Sequence, residues 1–217
     1  MRTTTKFLSL WILLSLAVIL AGCASTGFEK GNQTAANVQS AADQISALPG
    51  LIDKTLACLN DIVQKPAADL RPQYKSFVEN LAAVQSTAKG VAETRRAMGE
   101  QDKQFFAKWD EQLAQIKNED IKARSQNRKD EVKQQMLALK KSYTEAEMAF
   151  RPFLNDLKDV QKYLSVDLTT GGLASIKDSV DRVTQNAGPL KGSISKLAGD
   201  FRTLGFSMSS MTTAPAR

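Results

Sequence analysis

Residues 70–81 read LRPQYKSFVENL, and they open the stretch that decides the fold. From here to residue 116 two interleaved series recur in heptads. The first series is Leu70, Phe77, Val84, Val91, Met98 and Phe105. The second series is Tyr74, Leu81, Ala88, Arg95, Asp102, Trp109 and Ile116. Because mainly apolar heptads form the seam of a coiled coil, the pattern predicts one long helix, about 70 Å at ~1.5 Å per residue.

A second helix of similar length is predicted to follow the turn at Asn118-Glu119-Asp120 and to end near residue 164. The residues of its stripe are three or four positions apart, which places them on one face of the helix. Its members are Ile121, Ser125, Arg128, Val132, Met136, Leu139, Tyr143, Ala146, Phe150, Phe153, Leu157, Val160 and Leu164. Two long helices joined by a short turn lie antiparallel. We therefore expect a hairpin over 69–164, with a kink or a break at Pro152.

Shorter helical patterns flank the hairpin. Residues 34–64 carry one stripe that keeps its phase across Pro49-Gly50, which indicates one kinked helix or two collinear ones. A fourth helix is predicted to follow a cap at Thr169 or Thr170, to stop at Gly188-Pro189 and to resume afterwards.

The predicted fold class is all-α, an elongated antiparallel coiled-coil hairpin within a four-helix bundle. The bundle is expected over 34–205, with a loose tail over 206–217. The first and last helices are expected to cover the base of the hairpin. The tip, around 100–135, is poorer in seam hydrophobes and is expected to project as a polar arm.

Polar side chains occupy seam positions near this tip, namely Arg95, Asp102, Ser125 and Arg128. They can fix helix register and oligomeric state at a cost in stability, or they can contact a partner. Phe105 and Trp109 have the spacing of core residues, whereas Phe106 lies off the stripe and is the better candidate for an exposed contact. The candidate interaction residues are Arg95, Asp102, Phe106 and Arg128.

Residues 1–22 have the pattern of a secretory signal peptide. A basic head, Met1 to Lys6, precedes an apolar run from Phe7 to Ala21. This run is shorter than the roughly 20 residues that a helix needs to span a bilayer.

Leu20-Ala21-Gly22-Cys23 resembles the lipobox of bacterial lipoproteins at all four positions. The resemblance implies cleavage before Cys23, a diacylglycerol on its thiol and a further acyl chain on its amine, which together anchor a protein stably. The alternatives are an uncleaved signal anchor and a secreted protein with a free Cys23 thiol. In enteric lipoproteins, Asp directly after the lipidated cysteine retains the protein in the inner membrane. This chain has Ala24 at that position, which implies that the protein lies on the periplasmic face of the outer membrane. Residues 23–33 are expected to be a flexible tether.

The composition excludes several kinds of chemistry. The chain has no histidine, so the commonest general base and the usual zinc ligand are absent. Cys58 is the second of two cysteines, and it is a small buried apolar residue, half of an intermolecular disulfide or a partly exposed, unpaired thiol. Asp178 and Asp181 share a helix face and could bind a cation. A solvent-exposed helix face is the simpler interpretation of this pair. The net charge of +6 is mild, and a periplasmic location excludes nucleic acid as a partner.

Several landmarks support a family resemblance. Residues 105–113 read FFAKWDEQL, residues 125–128 read SQNR, and Phe150-Arg151-Pro152-Phe153-Leu154 follows. Over 69–176 the chain resembles a family of uncharacterised bacterial helical-hairpin proteins, classed as a domain of unknown function. Many members carry a lipoprotein signal. Members often have His and Asn after the Pro helix, where this chain reads VQKYLSVD over 160–167. The family brings no activity and no site residues.

The expected function is therefore that of a membrane-anchored periplasmic lipoprotein with a structural or protein-interaction role in the cell envelope. The alternative is a carrier or sensor that binds a lipid or another apolar ligand. We expect no enzymatic activity, no metal, no cofactor beyond the acyl chains on Cys23 and no small-molecule substrate. The expected partners are the membrane, through the anchor, and another envelope protein or a second copy of the chain.

Overall fold

The computed structural model describes residues 26–210, and four long helices contain nearly all of them. These are α1 (Gly27–Gln64), α2 (Arg71–Ala114), α3 (Glu119–Val166) and α4 (Thr170–Met208). Short connections join consecutive helices, and no strand occurs in this described part of the chain. The predicted all-α class is confirmed. None of the four helices combines the length and the apolar character that a membrane span requires.

Side chains cap three of the four helix starts. Thr26 and Glu29 form a capping box before α1, in which Thr26 Oγ1 accepts from the Glu29 N–H at 3.3 Å and Glu29 Oε2 accepts from the Thr26 N–H at 2.6 Å. Asn118 and Thr169 cap α3 and α4 through their side-chain oxygens. Each cap satisfies a backbone N–H that the start of a helix otherwise leaves unpaired.

Helix α1 begins at Gly27, earlier than the start near Thr34 that the apolar stripe predicts. The predicted tether over 23–33 is therefore too long. The capping box fixes the early start, and Gly31 lets α1 approach the ring of Phe105. Residues 23–25, like the signal peptide predicted over 1–22, lie outside the described residues.

The bundle is closed on three sides and loosely packed on the fourth. Helix α1 packs most closely, against α2 on one side and α4 on the other, and α4 also packs against α3. Helices α2 and α3 touch each other least. The heptad face of α2, with Phe77, Leu81 and Val84 fully buried, therefore packs mainly on α1 and not on α3 as the hairpin alone would suggest.

The tip of the hairpin does not project as a polar arm. Asn37 of α1 donates a hydrogen bond to Gln101 Oε1 at 2.5 Å, and Arg128 donates one to the backbone carbonyl of Ser207 at 3.0 Å. The expectation that α1 and α4 cover only the base is wrong, because both helices run beside α2 and α3 into the region of the tip.

Helix α4 passes through Pro189 without ending, so the predicted stop at Gly188-Pro189 is wrong. A proline inside a helix costs about 3 kcal/mol. Buried apolar side chains on both sides of it, including Ala187 and Leu190, offset that cost. The predicted tail over 206–217 starts too early, since α4 extends to Met208, and residues 211–217 lie outside the described part.

Helices α1 and α4 approach most tightly at Gly205. A Cβ atom placed on this residue would lie 3.1 Å from the carbonyl oxygen of Ala35 and 2.9 Å from Cγ of Gln39. The first of these neighbours is backbone, so it has little freedom to move aside. The absence of a side chain at 205 thus sets the spacing of α1 and α4.

We expect Gly205→Ala to lower the free energy of unfolding by about 1–3 kcal/mol, because the added methyl overpacks this contact. Gly199→Ala on the same helix is a matched control, since a Cβ there meets no atom within 4 Å. Alanine should raise the free energy of unfolding at that site by roughly 0.5–1 kcal/mol through its higher helix propensity. Urea denaturation measures both. Two variants of equal stability would contradict the close approach at Gly205.

Candidate binding groove

Helices α2 and α3 are joined near both ends and separated between them. Near the turn, Trp109 Nε1 donates to Ser125 Oγ at 3.0 Å, and Lys129 and Asp110 form an ion pair. Near the other end, the Tyr74 hydroxyl donates to the carbonyl of Gln161 at 3.2 Å. Between these links lies a long depression, here called the α2–α3 groove. Its floor consists of side chains from α1 and α4.

The groove contains two cavities. The tip-side cavity has a volume of 520 Å³, with Phe201 and Leu204 of α4 in its lining. The base-side cavity has a volume of 430 Å³, and its lining includes Ile45 and Leu48 of α1. Both volumes fall in the range of about 300–1,000 Å³ that small-molecule sites occupy. Apolar side chains dominate the floor, so both cavities suit an apolar chain.

Tyr143 divides the groove, because its side chain lines both cavities. The guanidinium carbon of Arg95 lies 4.7 Å from the centre of the Tyr143 ring, which is the geometry of a cation–π contact. Burial raises the pKa of the Tyr143 hydroxyl above its usual value, and the charge of Glu147 acts in the same direction. The phenol is therefore a neutral hydrogen-bonding group between the two cavities at neutral pH.

Two buried polar atoms in the tip-side cavity lack a hydrogen-bond partner among the described residues. These atoms are Nε of Arg95 and Oδ1 of Asp102. Burial raises the pKa of the Asp102 carboxyl, and the nearby positive charge of Lys140 opposes that effect. Buried polar atoms without partners are costly and uncommon in native proteins.

The walls of the groove carry more basic than acidic side chains, although three of the basic ones are paired with carboxylates: Lys103 with Glu100, Lys89 with Glu93 and Arg151 with Glu147. The tip-side cavity has one carboxylate, Asp102, in its lining, and its basic residues are Arg95, Arg96, Lys103, Lys133 and Lys140. The base-side cavity has the basic residues Lys89, Arg151 and Lys158 in its lining, against Glu147 alone. An apolar floor between cationic walls is complementary to a molecule that has an apolar chain and an anionic group.

The structure brings together three of the four predicted interaction residues. Arg95, Asp102 and Phe106 all line the tip-side cavity. Arg128 does not, because it pairs with Glu131 and lines a separate cavity of 270 Å³ beside Phe105 and Trp109. Arg128 therefore lies apart from the other three candidate interaction residues.

Part of the groove was not predicted as a site from the sequence. Tyr143 has the spacing of a core residue, and only its contact with Arg95 across the groove distinguishes it. Lys133 and Lys140 lie off the seam of α3, where cations usually face solvent. The predicted lipidation site Cys23, with Leu20, Ala21 and Gly22, lies outside the described residues.

The remaining candidate chemistry falls on isolated residues. Asp181 is paired with Lys177 at 2.8 Å. Cys58 is half-buried with a free thiol whose Sγ lies 3.3 Å from Ser76 Oγ, and it packs against the core. Within residues 26–210, no group of three or more Cys, Asp or Glu residues is placed to hold a metal ion.

Comparison with known proteins gives one match. A family model described as a protein of unknown function (DUF2959) matches residues 21–198. This range extends beyond the resemblance over 69–176 in both directions and covers α1, α2, α3 and most of α4. No curated protein and no solved structure matches the chain.

Asp102→Asn should stabilise the fold at about pH 7, because the variant buries no carboxylate charge. The folded state raises the pKa of Asp102 above its ordinary value of 3.8. The wild-type chain therefore loses stability as the pH rises through the raised pKa and regains it as the pH falls towards 3.8. The advantage of the variant should shrink accordingly between about pH 7 and pH 4.

Urea denaturation at both pH values measures this difference. Asp178→Asn, on the exposed face of α4, is the control, and its effect should stay within about 0.5 kcal/mol. A benefit of Asp102→Asn that is the same at both pH values would show that burial of the charge is not its cause.

Proposed function

Since the chain belongs to the DUF2959 family, whose function is unknown, we propose that it is a non-enzymatic binding protein of the bacterial cell envelope. In this proposal, lipid on Cys23 holds the protein on the periplasmic face of the outer membrane. The α2–α3 groove binds a molecule with an apolar chain and an anionic group. The single observation that carries the binding role is the apolar floor between cationic walls.

The anchor is supported by the sequence at the amino terminus. Leu20-Ala21-Gly22-Cys23 stands directly after an apolar run, in the position where a lipobox is cleaved. Attached acyl chains stabilise membrane binding by ~0.8 kcal/mol for each buried methylene, and two or more chains give a stable anchor.

The ligand class is supported by size and charge. Each cavity has room for an acyl chain, and Tyr143 lies between the two. Lys133 and Lys140 of α3 and Arg96 of α2 line the tip-side cavity. Charge-assisted hydrogen bonds from such groups to a carboxylate or a phosphate are roughly twice as strong as neutral ones.

A binding role is supported over catalysis by the residue types present. The sequence contains no histidine, which nucleophilic catalysis commonly uses as its base. Asp102 is the single carboxylate in the lining of the tip-side cavity, so that cavity lacks the pair of carboxylates that glycoside hydrolysis requires.

A protein-interaction role is the second candidate. Leu137 and Met148 of α3 are 51% and 70% exposed, and Leu137 stands at the edge of the tip-side cavity. A second copy of the chain or another envelope protein would cover these side chains. Sedimentation equilibrium in which wild-type chains form dimers and Leu137→Asp chains are monomers would support self-association through this face.

Cys23→Ala should abolish incorporation of labelled palmitate and remove the chain from the outer-membrane fraction. Cys58→Ala is the control, and it should leave both properties unchanged because its thiol lies within the bundle. Labelling and fractionation of cells measure the two effects. Continued incorporation of palmitate by the Cys23→Ala chain would disprove the proposed anchor.

Gly99→Leu should block the tip-side cavity and weaken binding of an anthroyloxy-labelled stearate by roughly tenfold or more, equivalent to about 1.4 kcal/mol. Gly99 lines this cavity, and a Cβ placed on it meets no atom within 4 Å, so a side chain fits without strain. Gly192→Leu is the matched control, because Cβ is equally free there and Gly192 lines neither cavity. Fluorescence titration of chains that begin at residue 24 avoids detergent.

Charge reversal tests the cationic wall in the same assay. Lys133→Glu with Lys140→Glu should weaken binding by about tenfold, since charged hydrogen bonds contribute ~1.5–3 kcal/mol. Lys54→Glu with Lys65→Glu makes the same change in net charge on exposed positions away from the groove. If both pairs weaken binding equally, the groove has no specific role. If wild-type protein binds no stearate, the ligand proposal fails.

A further inference from the structure

Three parts of the chain meet at one end of the bundle. This end, here called the turn end, consists of residues 26–31, 112–122 and 206–210. A Cβ on Gly27 would collide with the side chain of Gln112, which places the start of α1 beside the end of α2. The Ser210 N–H donates to Asn32 Oδ1 at 2.7 Å, so the end of α4 lies there too. The opposite end holds the α1–α2 and α3–α4 connections.

The proposed anchor, Cys23, is only four residues before Gly27, the first residue of α1. Four residues span at most about 14 Å, because a fully extended chain covers ~3.3–3.6 Å per residue. Helix α1 has 38 residues and is therefore about 57 Å long at ~1.5 Å per residue. A lipid on Cys23 thus keeps the start of α1 close to the bilayer, while the opposite end can lie far from it.

The turn end carries side chains that suit a lipid surface. Phe28 is 64% exposed and Ile121 is 54% exposed. The charged side chains of the turn end balance, since three are basic (Lys30, Lys117 and Lys122) and three are acidic (Glu29, Glu119 and Asp120). Apolar side chains enter the boundary between headgroups and acyl chains.

We propose that the turn end rests on the membrane surface, with Phe28 and Ile121 among the lipid headgroups and the bundle standing upright. This inference rests on the proposed lipidation of Cys23. It assigns the partner of the turn end as a lipid bilayer. It also places the tip-side cavity in the half of the bundle nearer to the bilayer, since Phe106 is only two helical turns from the end of α2.

The exposed apolar residues elsewhere give the proposal its controls. Met148 is 70% exposed on the side of α3, and Val166 is 86% exposed at the opposite end. A bundle that lies on the bilayer along α3 would bring Met148 into contact with lipid. An upright bundle leaves both Met148 and Val166 in water.

The test uses the full lipidated chain in vesicles of phosphatidylethanolamine and phosphatidylglycerol. In a Cys58→Ser background, single cysteines replace Phe28, Ile121, Met148 or Val166 and receive an environment-sensitive nitrobenzoxadiazole label. We expect a blue shift and quenching by nitroxide-labelled lipid at 28 and 121. We expect neither change at 148 and 166.

Each other result counts against the proposal in a distinguishable way. Quenching at 148 would show a bundle that lies on its side, and quenching at 166 would show the opposite end on the membrane. Labels at 28 and 121 that stay in water on a chain that floats with the vesicles would overturn this proposal alone. A chain that does not float would remove the anchor, and this proposal with it.

Discussion

The burial of α1 between α2 and α4 is the interaction on which the rest of the structure depends. Val38, Ile45, Ile52, Leu59 and Ile62 are almost wholly removed from solvent. Full burial of one such side chain stabilises the fold by about 1.5–3 kcal/mol. Helix α1 therefore packs on the apolar heptad face of α2. The absence of a side chain at Gly205 lets α4 pack closely against the other side of α1. The contact that remains between α2 and α3 is the least extensive of those between neighbouring helices, and the groove lies there.

Two polar members of the α2 seam, Arg95 and Asp102, line the tip-side half of this groove. With leucine at positions 95 and 102, α2 and α3 would bury a continuous apolar seam, as in an ordinary coiled coil. Arg95 and Asp102 instead place buried polar atoms in the groove without partners among the described residues, which costs stability. The contact of Arg95 with Tyr143 recovers only part of that cost, since a cation–π contact is worth about 0.5–2 kcal/mol.

Local patterns in the sequence predict where the helices lie in the chain, but they do not predict which helices pack against each other. The heptads of α2 and the Asn118 turn predict the ends of α2 and α3 to within three residues, because caps and periodicity act within one helix. The same heptads show only that a face is buried, and not that it packs on α1. Arg95 and Asp102 stand out because charge on a seam is anomalous. Tyr143 does not, because an aromatic residue on a seam has the spacing of a core residue. The separate placement of Arg128 follows from the path of α4 past Pro189, which no local signal predicts.

Asp102 also limits what the groove can hold. For an anionic ligand, the basic residues of the tip-side cavity attract and the single carboxylate repels, and both act in a half-buried site where charges are weakly screened. A cavity lined by cations alone would hold such a ligand tightly and would release it slowly. The carboxylate lowers the net attraction without removing the apolar floor that accepts the chain. Binding strength in such a groove is therefore set mainly by apolar burial, and the charges decide which end of an amphiphile faces outwards.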